Sequence, residues 1–257
     1  MPVIPSALLA VLVVALTSLG PLSTDFYLPA LPAIARALDT DSVGVQLTLS
    51  VYLLGFGAGQ LLVGPLSDRF GRRPVMLWGM LVFLLSSVVC ALADSIATLV
   101  AARLLQAFGA CAGPVLGRAV VRDIYGPSES ARMLSHVSTA TALAPLLAPL
   151  FGGWLTAAWG WRATFVALTV YALMLMLAVW LLLKETNRHP DAHAMRPARM
   201  WANYRTLLAD PVYRSALLIG CGAFAALFAF ISGSPFVFIL KISVGDVQLA
   251  RTAGRLW

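Results

Sequence analysis

Apolar residues run along this chain in long unbroken stretches, with neither the two-residue alternation of a strand nor the narrow stripe of a soluble helix. Charge-free windows cover Met1–Thr24, Ser42–Ser67, Pro74–Ala93, Met133–Trp161, Ala163–Leu183 and Ser215–Leu240. A further window, Ser95–Gly117, is interrupted only by Arg103. A membrane-crossing helix needs about 20 mostly apolar residues, so the pattern predicts seven spans. Barrel strands are excluded, because the runs are too long and do not alternate. The first window has no basic residue before its apolar run and no small-residue cleavage site, so it is predicted as an uncleaved helix rather than a signal peptide.

The single long polar stretch, 184–214, separates six spans from the seventh and is predicted as a linker. The expected organisation is a six-helix bundle over 1–183, the linker, a helix over 215–240 that starts a second bundle, and a polar tail over 241–257. Within the first bundle, Gly64 and Gly71 stand seven apart after the second span and are followed by Arg72. Gly153 and Gly160 stand seven apart after the fifth, with Arg162 close behind. An inverted three-plus-three repeat places such a pair on opposite faces of the membrane.

Composition agrees. Of 257 residues, 60% are hydrophobic and 11% charged, and the mean hydropathy is +0.86. Soluble domains carry roughly 25% charged residues, so an ordinary cytosolic enzyme, a disordered tail and a disulfide scaffold are excluded. The net charge of +7 reflects Lys and Arg gathered in loops rather than a nucleic-acid partner. Arg69, Arg72, Arg73, Arg118, Arg122, Arg132 and the basic residues of the linker fall on one side. Placing them in the cytoplasm puts the N-terminus inside. Cys90, Cys111 and Cys221 all lie in apolar runs, where they pack as small hydrophobes, with no disulfide or metal site expected. No catalytic motif is present, so no enzyme activity and no cofactor is expected.

Four places carry candidate chemistry. Arg103 is the lone cation of its window. A buried arginine costs about 2.5–3.5 kcal/mol on insertion scales, so it should face the bundle interior and have a partner. Asp25, towards the same outer half of the membrane, is the natural one; the residues alone equally allow it to be an interfacial acid at a helix end. In GPLSDRFGRRP (64–74), Gly64 and Gly71 permit turns and close backbone approach, and Pro74 suits a helix start. Asp68 in that stretch stands among Arg69, Arg72 and Arg73. Pro145 and Pro149 share one face of the fifth helix and bend it, and Gly152 and Gly153 extend that face as a flat packing surface.

The stretch 64–74 resembles the loop 2–3 signature of the major facilitator superfamily. TDFYLPALP (24–32), RLLQAFGA (103–110), VRDIY (121–125) and ALAPLLAPLFGGWL (142–155) narrow the resemblance to its bicyclomycin/chloramphenicol resistance branch of drug:proton antiporters. Ala148 departs from the glycine usual before the proline. The resemblance covers about residues 6–238. It implies an all-α integral membrane fold, the N-terminal six-helix bundle of a transporter plus the first helix of its second bundle. It further implies export of amphipathic drugs across the bacterial inner membrane, driven by a proton gradient. Asp25 and Arg103 would serve proton coupling, 64–74 would gate, and the 145–153 face would meet the second bundle. The family uses twelve helices, and about seven are expected here. A truncated, non-transporting copy that lacks its C-terminal half is therefore the alternative expectation. A seven-helix retinal protein is disfavoured, because Lys241 follows the last span and 64–74 would be unexplained.

Overall fold

The computed structural model describes residues 5–187 and 190–226. The second half of the predicted seventh helix and the tail 241–257 lie outside the described residues. The chain divides into two compact units, one ending at Arg196 and the other beginning at Pro197.

The first unit is a helical bundle. Helix α1 (Ser6–Asp25) follows Pro5, and a 3-10 turn (Leu28–Ala30) joins it to α2 (Leu31–Ala37). Together they form one apolar span of 32 residues, longer than the window ending at Thr24. Helix α3 (Ser42–Phe70) is capped by Asp41, whose carboxylate accepts from the Gly44 amide at 2.8 Å. Helix α4 (Arg72–Ala91) follows without a break, apart from Gly71. The Arg103 window becomes α5 (Ile96–Ala110) and α6 (Ala112–Ile124), interrupted at Cys111. Pro114 explains the interruption, because it has no N–H for the carbonyl one turn earlier. The fifth span is α7 (Pro127–Ala142) and α8 (Ala144–Trp159), broken at Leu143 where Pro145 enters the first turn of α8. Helix α9 (Arg162–Leu182) completes, among the described residues, six segments long and apolar enough to cross a membrane.

These helices bury one face and leave the other apolar. Leu9, Leu12, Leu16 and Leu19 of α1, Met76, Met80 and Phe83 of α4, and Phe165, Leu168 and Val179 of α9 form the core. Helix α4 packs on α5 and α9, α3 on α5, and α1 on α6. Leu54, Trp78, Trp180 and Leu181 point outward. Outward apolar side chains on nearly every span suit hydrocarbon, not water.

The stretch predicted as a linker is structured. Residues 184–187 and 190–196 belong to the first unit, and α10 (Pro197–Ala209) is a helix. In the second unit α10 meets α11 (Pro211–Ala226) at a bend of 87°.

Close packing of α1 on α6 depends on Gly113, where an added Cβ would strike the Leu16 carbonyl. Overpacking of this kind costs about 1–3 kcal/mol. Gly113→Val should therefore lower the melting temperature of the purified chain in detergent. Gly57→Ala, where nothing lies within 4 Å, should leave it unchanged.

Candidate functional site

Arg103 sits two turns into α5 and is fully buried, at 0% exposure. Its Nη1 donates to the Ser23 hydroxyl at 2.9 Å, the Ser23 carbonyl at 3.2 Å and Gln106 Oε1 at 2.7 Å. Gln106, one turn further along α5, donates through Nε2 to Ser87 of α4 at 2.8 Å. The guanidinium lies over the rings of Tyr52, 4.1 Å from the centroid, and Tyr27, 4.5 Å away. A polar chain from α1 through α5 to α4 thus crosses an otherwise apolar core.

The expected ion pair with Asp25 is not formed. Among the described residues Arg103 has no carboxylate within ion-pair distance. The reason lies in helix geometry. Ser23 faces α5, and Asp25, two residues on, is turned by about 200°. One Asp25 oxygen accepts from the Thr24 hydroxyl at 3.2 Å, and the other is buried without a hydrogen-bond partner. Asp25 is the last residue of α1, and the apolar segment continues beyond it through α2 to Ala37.

The residues of 64–74 gather at one end of the bundle. Arg72 Nε reaches Asp123 at the end of α6 at 3.1 Å, and its Nη1 bonds Asp68 and the Ser67 hydroxyl. Glu185, three residues past α9, accepts from the Arg72 and Arg73 amides at 2.9 and 3.1 Å. A carboxylate at a helix N-terminus satisfies orphan donors and the dipole together. Arg73 also donates to the Trp180 carbonyl at 2.7 Å, while Arg69 stays exposed and stacks over Phe70. Gly71 is required here, because its φ of 98° and ψ of 155° lie in a region essentially closed to other residues. Gly64 corrects the expectation of a turn. It lies inside α3 with nothing within 4 Å of a Cβ.

The opposite end repeats the pattern. Gly160, φ 83°, ends α8 as Gly71 ends α3, and each donates its amide four residues back at 3.0 Å. Arg162 then bonds Asp94 at 3.1 Å and the Ala93 carbonyl at 2.9 Å. In the fifth span Gly152 packs against the backbone of Phe26, where a Cβ would come within 2.5 Å of the carbonyl oxygen. This part of the expected docking face is filled by the chain's own segment after α1. Pro145 is exposed, and Pro149 lies inside α8. Between α1, α7 and α9 opens a crevice of about 490 Å³, walled by Val11, Val14, Leu22, Val137 and Tyr171 with His136 among them. It contains neither Asp25 nor Arg103.

Sequence reasoning missed Glu185, Asp123, Ser23 and Gln106, and left Tyr52 unclaimed. Gln106 had a signal, since three residues from an intramembrane arginine is the same helix face. Glu185 had only its place just after an apolar run.

Six apolar spans with mirrored glycine-ended helices around a buried cation define a polytopic helical membrane bundle. Residues 11–254 match the Major Facilitator Superfamily, and the chain belongs to that superfamily. It is 35% identical over 222 residues to multidrug resistance protein D of Escherichia coli (strain K12), covering 86% of this chain and 55% of that one. It is 43% identical over 170 residues to a chloramphenicol resistance protein of Pseudomonas aeruginosa, covering 66% of this chain and 41% of that one. The proton:xylose symporter XylE shares the fold, with a TM-score of 0.63 at 15% identity over 83% of this chain and 52% of that one. The chain spans about half the length of the curated relatives it matches.

The Gly71–Glu185 contact generates a test. Gly71→Ala forces a Cβ into a forbidden backbone region, at about 1–3 kcal/mol, and against the Glu185 carboxylate. Glu185→Ala removes the cap, worth about 0.5–2 kcal/mol, together with the bonds that the same carboxylate accepts from the Thr186 and Asn187 amides. Thermal unfolding in detergent should rank wild type above Glu185→Ala above Gly71→Ala. A Glu185→Ala protein as stable as wild type would mean that the cap contributes nothing.

Proposed function

We propose that this chain is the proton-handling bundle of a multidrug exporter that exchanges amphipathic drugs for protons across the bacterial inner membrane. The observation that carries this reading is the polar centre at Arg103, buried among apolar spans at a depth where charge is costly and retained for function. The chloramphenicol and multidrug resistance relatives support the drug class. The crevice between α1, α7 and α9 is of the size that takes a drug-like guest.

In this scheme Asp25 binds a proton from outside and releases it inside as drug leaves. Arg103 supplies a fixed positive charge on the neighbouring helix, which favours the ionised acid when the two approach. Each proton moving inward gains about 2.3 kcal/mol per 100 mV of membrane potential. The density of basic residues at the Arg72 end supports a cytoplasmic placement of that end, with the start of α1 on the same side. The Asp68–Arg72–Asp123–Glu185 cluster holds that end of the bundle as one piece, so that it rocks as a body against a second six-helix bundle. Gly64, with its open face, and Pro145 are the places for that partner to approach.

Proteoliposomes holding this chain together with the separately expressed second bundle of a full-length relative, and a pH-sensitive dye, test the reading. Added chloramphenicol should accelerate collapse of an imposed pH gradient, and Asp25→Asn should reduce the drug-dependent rate at least tenfold. A rate equal to that of empty vesicles counts against export by this chain. An Asp25→Asn rate equal to wild type counts against Asp25 as the proton site.

A further inference from the structure

A buried guanidinium ordinarily needs a carboxylate, yet Arg103 has none within reach among the described residues. Its neutral acceptors engage Nη1 alone; Nε and Nη2 have no hydrogen-bond partner. What covers its faces is aromatic. Besides Tyr52 and Tyr27, the ring of Phe165 lies 6.0 Å away. Ring faces carry negative charge and attract cations within about 6 Å, most strongly where water is excluded.

These rings are themselves fixed. The Tyr27 hydroxyl bonds Thr48 of α3, and its ring tilts against Phe165 at 5.7 Å. The Tyr52 hydroxyl donates to the Gly20 carbonyl of α1 at 3.3 Å, and its ring stacks on Phe56 at 6.1 Å. Each tyrosine is tethered at its tip to another part of the bundle, Tyr27 to α3 and Tyr52 to α1, with its face left for the cation. We propose that Tyr27 and Tyr52 stand in for a counter-ion: they are positioning residues that hold Arg103 charged and in place while no carboxylate is paired with it.

The consequence bears on Asp25. The Nε and Nη2 donors form the side-on edge that binds a carboxylate in two parallel bonds, and the cage leaves that edge unpartnered. Because the rings already carry the charge, the bundle does not need Asp25 as a partner in order to stay folded. Asp25 can then gain or lose a proton without unfolding its surroundings. This use of the charge rests on the proton-coupling reading, whereas the cage does not, and the test below involves no transport.

A double-mutant cycle on the purified chain in detergent, read by thermal unfolding, decides the matter. Tyr52→Leu and Tyr27→Leu should each lower the melting temperature by about 4–8 °C. Tyr52→Phe and Tyr27→Phe, which keep the ring, should recover most of that loss. With Arg103→Met in the same chain, each Tyr→Leu effect should fall to less than half, and Asp25→Asn should shift melting by under about 2 °C. Should Tyr52→Leu fail to accumulate, recovery on adding Arg103→Met supports the cage, and continued failure counts against it. Equal Tyr→Leu losses in the wild-type and Arg103→Met backgrounds would overturn the proposal, leaving the rings as packing alone. So would an Asp25→Asn loss as large as that of Tyr→Leu that vanishes without Arg103, since Asp25 would then be the true counter-ion.

Discussion

A cation held in a hydrocarbon environment sets the terms for the interior of this bundle. Water cannot reach Arg103, so the guanidinium must find its compensation in protein groups or be expelled to an interface. The structure supplies that compensation from five helices. Ser23 comes from α1 and Gln106 from α5 itself, with Ser87 behind it on α4. Aromatic faces come from Tyr52 of α3, Phe165 of α9 and Tyr27, just after α1. The same tyrosines then bond back across the bundle, to Thr48 and Gly20. Packing around one charge therefore ties together helices that lipid-like side chains alone would leave free to slide, because apolar contacts between helices gain little over contacts with lipid.

The two ends of the bundle solve a different problem, how to reverse direction in one or two residues. Gly71 and Gly160 do so through the same left-handed, extended backbone geometry, each directly after a helix and each just before another. An arginine follows in both cases, and an acid arriving from elsewhere meets it or its amide. At one end this is Glu185 after α9 on the amides of α4; at the other it is Asp94 after α4 on Arg162 of α9. The third and sixth spans thus exchange acids across the repeat. The exchange is unequal, since the Arg72 end also recruits Asp68, Asp123 and Asn187, whereas Arg162 and Asp94 form an exposed pair of the kind worth little. The end with more bonds is the better candidate for a rigid contact surface.

The superfamily's inverted repeat and the shared fold account for this mirrored layout, and several apolar faces of the bundle have no protein neighbour in the first unit. Gly64 is one such place. Gly152 is not, because the segment after α1 occupies it. Gly153, seven residues before Gly160 as Gly64 is before Gly71, meets only the Pro29 side chain at 3.8 Å, so the matching positions of the two pairs are both nearly open.

How much of this could be read beforehand follows from range. Apolar length fixes a spanning helix whatever its neighbours, so all six spans of the first unit, the one interrupted by Arg103 included, were legible in residue order alone, as were the helical class and the inward-facing Arg103. So was the need for glycine at 71, where a reversal is forced between two adjoining helices. What residue order could not contain was which side chains meet across helices. Asp25 and Arg103 were matched by depth, but rotation about α1 gives Ser23 the contact and turns Asp25 away. Glu185 reaches Gly71 only because α9 returns to the start of α4, more than a hundred residues back along the chain. Hydrophobic length is a local property that the bilayer enforces on each segment separately. Azimuth and partner are settled only when all helices pack at once.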